Sequence, residues 1–174
     1  MRRQRARDRP RLAPRVSIEV AVAESRGAQA AGDRAFVKAL GRSCVMASVA
    51  SLRPASETDA RTAFDRLCEI VDSQSHVTLI ARRGGERVGF LLLLDELPDE
   101  VTLSPQGFVA YMAVEPGARG TGVGTALLAA AEDKARRRGL PYISLMVTEE
   151  NEAARRLYRR AGFRTERRLL CKPL

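Results

Sequence analysis

The sequence from Gly107 to Gly139, "GFVAYMAVEPGARGTGVGTALLAAAEDKARRRG", confines the chain to a narrow set of folds. Its first eight residues are apolar throughout and rich in β-branched and aromatic types, the pattern of a central strand covered on both faces. After "EPGA" an arginine precedes three glycines at alternate positions, and a helical pattern opens directly behind them. That pattern puts Leu127, Leu128, Ala131 and Ala135 on one stripe and closes on three arginines, Gly139 and Pro141, which are helix stop signals. A strand buried on both faces needs a layer on each side, so the expected class is α/β, with helices packed against a sheet.

The flanking sequence supplies those layers. "RVSIEVAVA" at 15–23 alternates Val16, Ile18, Val20 and Val22, the period of a half-buried strand. Residues 28–40 read as a helix around Ala31, Ala35, Val37 and Leu40, whereas 41–55 stay unassigned. From Ser56, "SETDARTAFDRLCEIVD" is an amphipathic helix with an N-terminal capping signal and an apolar side of Ala60, Ala63, Phe64, Leu67, Ile70 and Val71. "HVTLIARR" and "ERVGFLLLLDE" are joined by Gly84-Gly85, a pair suited to the positive φ angles of a hairpin turn. An acidic connector with prolines, 95–106, leads to the central strand. Beyond the central helix come a strand in "YISLMVT", a short helix in "NEAARRLYRRAG" and a final strand in "FRTERRLLCKPL". Strands and helices alternate in a mixed sheet, and residues 15–174 make one domain.

Charge and cysteines narrow the setting. The formal net charge is +9, but residues 1–15 carry seven arginines and one aspartate, so the remainder holds about +3. Residues 1–14 read as a basic, disordered tail, either an idle extension or a contact for nucleic acid or an acidic membrane surface. No apolar stretch follows its charged start, so a secretory signal is not expected. The longest apolar run, "VGFLLLL", is strand-sized, and a cytoplasmic location is expected. Cys44, Cys68 and Cys171 show no C-x-x-C spacing, which argues against a disulfide framework or a zinc site and predicts reduced core thiols.

A loop that leaves a buried strand and opens a helix presents unpaired N–H groups and about half a positive charge, an anion site. Glycines let a phosphate approach the main chain, and Arg119 adds a forked cation. The P-loop pattern fails because it needs a lysine that is absent here. The dinucleotide fingerprint fails because its glycine spacing differs and the later acid is missing from "PYISLMV". What remains is R-x-x-G-x-G, met by Arg119, Gly122 and Gly124. With its flanks "MAVEPGARGTGVGTALL" and "LMVTEENEAARRLYRRAGF", the stretch from Gly107 to Phe163 resembles the GCN5-related N-acetyltransferase (GNAT) family. Members carry Asn, a small residue, Leu-Tyr and Gly-Phe at these spacings. The resemblance implies the GNAT, or acyl-CoA N-acyltransferase, fold: a mixed, mostly antiparallel central sheet flanked by helices, with the fourth strand bulging and parting from the fifth. It also implies acetyl-CoA (acetyl-coenzyme A) as acetyl donor, an amine acceptor, direct attack in a ternary complex and no metal. Homodimers are common among such relatives.

On that resemblance, main-chain groups of Met112, Ala113 and Val114 hold the pantetheine arm and acetyl group. The pyrophosphate falls to Arg119 and to the N–H groups of Gly120, Thr121, Gly122, Val123, Gly124 and Thr125. Asn151 and Ala154 complete the cofactor face, with Tyr158 as the catalytic residue, and their i, i+3, i+7 spacing puts all three on one helix face. Tyr158 is expected to hydrogen-bond the departing thiolate, because complete transfer from a tyrosine near pKa 10 to a thiolate near 8.5 costs about 2 kcal/mol. The base that takes the amine's proton stays open, since the central strand lacks the glutamate that some relatives place there. Glu115, Glu149, Asp95 and Glu96 are water-mediated candidates that read more simply as surface carboxylates. His76 reads as structural, and Tyr111, in phase with Val109 and Ala113, reads as packing. The acidic "DELPDE" is either a solvent loop or an attractor for a cationic amine such as a peptide N-terminus, polyamine or aminocyclitol. The alternative function is a non-catalytic acyl-CoA sensor tethered to nucleic acid by the arginine-rich tail; a third is a basic nucleic-acid protein whose loop is incidental.

Overall fold

A computed structural model describes residues 19–174. The basic tail, with Val16 and Ile18 of the first strand pattern, lies outside the described residues. Strand β1 is Val20–Glu24. Helix α1, Ala30–Cys44, runs past the expected end at 40, and a single 3-10 turn at Val45–Ser48 follows it. Helix α2, Glu57–Asp72, starts where the Ser56 hydroxyl accepts a hydrogen bond from the Asp59 N–H at 3.1 Å, the cap its sequence signals. Strands β2, His76–Arg83, and β3, Glu86–Leu94, turn through Gly84 and Gly85, at φ 58° and 87°. Strand β4, Gln106–Val114, leads into helix α3, Val123–Arg137; strand β5, Tyr142–Leu145, and helix α4, Glu152–Arg160, follow.

The sheet order is β1-β2-β3-β4-β5. The first four strands pair antiparallel and β5 lies parallel to β4, so the sheet is mixed and mostly antiparallel. Strand β3 explains the uninterrupted "FLLLL". Phe90, Leu92 and Leu94 enter one core with Val37, Leu40, Phe64 and Val71 of α1 and α2, while Leu91 and Leu93 enter the other with Leu127, Leu128 and Ala131 of α3. Each such side chain, fully buried, contributes roughly 1.5–3 kcal/mol.

Three expectations are corrected. The buried stripe of α2 is Ala60, Phe64, Cys68 and Val71, and Ile70 points outward, 52% exposed. The final strand does not form: residues 163–174 have no regular structure, and beyond Phe163 they make no main-chain hydrogen bond. A strand needs a neighbour to satisfy its N–H and C=O groups, and none is beside it. Cys171, which that strand was to carry into the core, is therefore exposed, Cys44 is half-buried, and only Cys68 is a buried thiol; none forms a disulfide.

Candidate active site

The site begins with an irregularity in β4. Leu92 pairs with Tyr111 and Leu93 with Val109, which leaves Ala110 unmatched as a bulge. The bulge reverses the strand's phase. Tyr111 joins Phe108 and Ala113 on the α1/α2 face, while Val109 and Met112 lie on the α3 face. The expected phase of Tyr111 with Val109 is thus broken by one extra residue. Strand β5 pairs only with Gln106–Val109, so beyond the bulge β4 runs without a partner on that side and a gap opens.

The glycine loop follows this unpaired stretch. Gly120 and Gly122 sit at φ 74° and 91°, left-handed positions that disfavour any side chain, and nothing lies within 4 Å of where a Cβ would project. Gly122 is the N-cap of α3, and no side chain caps that helix. Among the described residues, the N–H groups of Gly120 through Thr125 find no acceptor, and the ladder starts with Ala126 donating to the Gly122 carbonyl at 2.9 Å. Six successive free donors thus lie at and just before the positive end of a helix dipole. Gly124 serves a different purpose. A Cβ there would lie 2.8 Å from Leu157 Cδ2, so this glycine lets α4 dock on α3. The glycine loop and the Leu-Tyr motif are two halves of one contact.

Arg119 is turned away from the loop: its Nε donates to the Val114 carbonyl at 3.1 Å, and its Nη2 reaches Cys44 Sγ at 3.2 Å. The cation beside the loop is Arg83, whose Nη2 donates to the Thr121 hydroxyl. Sequence reasoning missed Arg83 because only the pairing of β2 with β3 and of β3 with β4 places the end of β2 near the loop. Thr121 in turn donates to the Ala118 carbonyl at 2.6 Å, which fixes the loop's approach.

Aromatic and polar side chains line the gap. Tyr111 stacks on Phe90 and meets the edge of Phe64, with ring centroids 6.0 and 4.9 Å apart. Burial pushes its phenol up to about 12, against a hydrogen bond with Ser48, and the phenol also feels Cys44, Tyr158 and Arg119. Those side chains therefore share one neighbourhood. Tyr158 is half-buried against Phe163, and burial alone raises its pKa. Asn151 is engaged at both ends: Oδ1 accepts from the Ala154 N–H at 3.2 Å as the cap of α4, and Nδ2 donates to the Ala47 carbonyl at 3.3 Å. Thr148 donates to the Ser48 carbonyl and Ser51 to Glu150, at 2.8 and 2.6 Å. These bonds strap the α1–α2 connection to the turn before α4.

Of the candidate bases, Asp95, Glu96 and Glu149 stand in ion pairs. Asp95 is buried at the closed end of the β4–β5 pair, accepts from Ser75 Oγ at 2.7 Å and pairs with Arg138 at 2.9 Å, which Glu96 also approaches at 3.8 Å. Glu149 pairs with Arg155 at 2.8 Å; Glu115 directly follows Val114 at the open end of β4, where its main-chain N–H donates to the Val88 carbonyl at 3.0 Å. Hydrogen bonds from Thr102, then Arg167, hold Asp99 well below the usual carboxylate range, so the acidic connector is anchored in structure. His76 Nδ1 lies 2.9 Å from the Gln74 carbonyl at that same closed end. Among the described residues, no three ligating side chains gather as a metal site, and no helix is long and apolar enough to cross a membrane.

Residues 46–163 match the model of the acetyltransferase (GNAT) family. A mycothiol acetyltransferase of Thermobispora bispora is 42% identical over 84 residues, 48% of this chain but only 28% of that protein. The chain therefore matches little more than a quarter of that relative's length. Among solved structures, a Pyrococcus furiosus protein provisionally named an acetyl transferase superposes with a TM-score of 0.74 at 25% identity, over 90% of this chain and 100% of its own. Aminoglycoside N-acetyltransferase AAC(6')-Iy in complex with CoA superposes with a TM-score of 0.65 over 94% of this chain and 99% of its own; at 19% identity this is a likeness of fold.

Proposed function

The chain belongs to the GNAT acetyltransferase family, and from that membership we propose that it transfers the acetyl group of acetyl-CoA to an amine by direct attack in a ternary complex. The observation that carries this reading is the row of six unsatisfied N–H groups from Gly120 to Thr125, with Arg83 beside it and the open side of β4 in front of it. A diphosphate supplies several anionic oxygens, and that donor set fits them. The two open left-handed glycines leave the approach clear. The neighbouring structure bound to CoA supports the same occupant.

When bound, acetyl-CoA supplies a thioester carbonyl open to attack by a neutral amine. The chain's own residues then divide the work. The bulge at Ala110 and the run Met112, Ala113 and Val114, paired with β3 but open on the β5 side, offer main-chain groups to the pantetheine arm and to the oxygen that gains charge. The Val114 carbonyl accepts from Arg119 Nε, so the arm would compete with that guanidinium or bind beside it. Tyr158 would donate a hydrogen bond to the leaving sulfur. Its raised pKa keeps the proton on the phenol through neutral pH and makes outright donation costlier than for a free tyrosine. Asn151 and Ala154 set the start of α4, and through it the place of Tyr158.

Calorimetry with acetyl-CoA and free-thiol release against an amine panel test the proposal together. We expect heat on mixing, and release with at least one amine. Tyr158→Phe should lower kcat by about 100-fold or more; unchanged turnover removes Tyr158 from the mechanism. Heat without release for any amine leaves the sensor reading, and no heat overturns the site itself.

A further inference from the structure

Helix α2 presents a stripe of uneven depth to the sheet. Ala63 and Ile70 face outward, and one turn after the large Phe64 the helix offers only the small Cys68 before Val71. Opposite it, α1 opens with "AAGDRA", whose small side chains leave space beside that end of α2. The result is a cavity of about 150 Å³ between α1, α2 and the start of β2. Val37, Cys68, Val71 and Leu92, all buried, form its floor. A volume of this order admits one six-membered ring, and such a floor offers water no hydrogen-bond partner.

Charged side chains ring the mouth. Glu24 is taken by Arg26 and Lys134 at 2.7 and 3.0 Å, and Asp72 by Arg34 at 2.9 Å, with His76 3.8 Å from the same carboxylate. Lys38 also lines the cavity and, among the described residues, has no acidic partner. Both carboxylates are thus already neutralised, and the charge left over is the Lys38 ammonium. Burial pushes the Cys68 thiol up to about 11, and Asp72, Lys38, Asp65 and Arg34 act on it as well, so these charges stand close to the floor. The cavity is distinct from the candidate active site: its lining includes none of Cys44, Ser48, Tyr111 and Tyr158.

We propose that this cavity is a second binding site, for a small monocarboxylate whose body is one aromatic ring or a branched chain of similar size. The apolar body lies on the floor, where the polarizable Cys68 sulfur suits a ring, and the carboxylate meets Lys38 at the mouth. An amine of the same shape fits poorly. It would meet an unpaired ammonium and find both carboxylates of the mouth engaged. The site stands apart from the acetyl-transfer reading and does not depend on it.

Titration of the whole chain with benzoate, followed by amide NMR shifts, tests the site without using activity. We expect saturable shifts at residues 37–38, 68 and 71–72, with a Kd on the order of 1 mM or below. Benzylamine, the same ring with the charge reversed, and acetate, the same charge without the ring, should each bind about tenfold more weakly or worse. Lys38 is exposed, so Lys38→Glu leaves the fold intact and should weaken benzoate about tenfold, while Lys38→Arg should keep its Kd within about threefold. Cys68→Phe fills the floor and should abolish the shifts. Saturating acetyl-CoA should leave them in place. The proposal is overturned if about 10 mM benzoate produces no saturable shift, if the shifts centre on the glycine loop, if benzylamine binds equally well, or if Lys38→Glu binds benzoate unchanged. If benzoate binds here but no amine releases thiol, the acetyl-transfer reading falls and this site stands.

Discussion

The chain from β1 to α3 and the chain from β5 to the C-terminus are made of the same kinds of element, yet they are held by different physics. In the first region β2, β3 and β4 have neighbours on both sides and helices over both faces, and Phe64, Phe90, Ile80 and Leu127 are at most 1% exposed. In the second, β5 has one neighbour, and α4, "EAARRLYRR", buries no residue. The candidate site straddles the two. Its donor row belongs to the packed region, at the start of α3, whereas Tyr158 belongs to the open one. On the proposed reading, anion binding is preorganised while Tyr158 stays adjustable. Gly124 against Leu157, and the straps from Asn151 and Thr148, are the joints between them.

The packed region should show the largest response to damage. Phe64 joins α2 to Tyr111 and closes over Gly41, so Phe64→Ala should cost about 3–5 kcal/mol in urea denaturation. A loss under 1 kcal/mol would erase the contrast drawn above. Overfilling the same spot should be nearly as harmful. A Cβ on Gly41 would fall 1.9 Å from Phe64 Cζ, an impossible approach to a ring with no room to leave. Overpacking typically costs 1–3 kcal/mol, partly offset by the better helix propensity of alanine, so Gly41→Ala should lose about 2 kcal/mol on the same measurement.

The division was only partly legible in the sequence. Local signals carried what local chemistry decides: the Ser56 cap, the Gly84-Gly85 turn, the stop of α3 at Gly139 and both faces of "FLLLL" were readable because each depends on residues a few positions apart. The bulge at Ala110 was not, because an apolar strand with no glycine or proline at the point of change looks the same with one residue more or less on a face. Residues 41–55 resisted assignment for a related reason: part of what positions them is the turn at 148–151, about a hundred residues away. Arg83 reached the loop through strand register, and "FRTERRLLCKPL" showed a strand pattern without the neighbour that makes a strand. Within the R-x-x-G-x-G motif, geometry separates members that the pattern treats alike: Gly120 and Gly122 need their φ, Gly124 needs its missing Cβ, and Arg119 faces the other way.

A pH series sharpens the comparison more gently. Burial in the packed region pushes the Cys68 thiol up from an ordinary value of 9.0 to about 11, and the Tyr111 phenol up to about 12. Both folded values lie above the unfolded ones, and for both the proton-bound form is the neutral one. Their stabilisation is therefore fully present below the unfolded pKa and is lost as pH rises through the folded one: between about 9 and 11 for the thiol and between about 10 and 12 for the phenol. By pH 10 the thiol should account for about 1 kcal/mol of lost stability. In thermal melts, Cys68→Val should flatten the decline between pH 9 and 10; an identical decline in the variant would place the alkaline weakness outside this core.

The smallest expected change in stability is the most informative about mechanism. In Gly124→Ala the added methyl meets Leu157 Cδ2 at 2.8 Å, the far end of a flexible side chain on a helix with no buried residue. The open region can yield, so urea denaturation should change by no more than about 0.5 kcal/mol. The yielding itself moves α4, and Tyr158 is the residue next to Leu157. Displacement by a few tenths of an ångström should lower kcat about tenfold while the calorimetric Kd for acetyl-CoA stays nearly constant. A glycine needed for close approach of the diphosphate predicts the reverse, a weakened Kd with kcat intact. Adding Leu157→Ala to Gly124→Ala separates the two further. It reopens the space for α4 and should recover part of kcat if the joint is what was lost, whereas nothing at position 157 can restore a phosphate contact blocked at position 124.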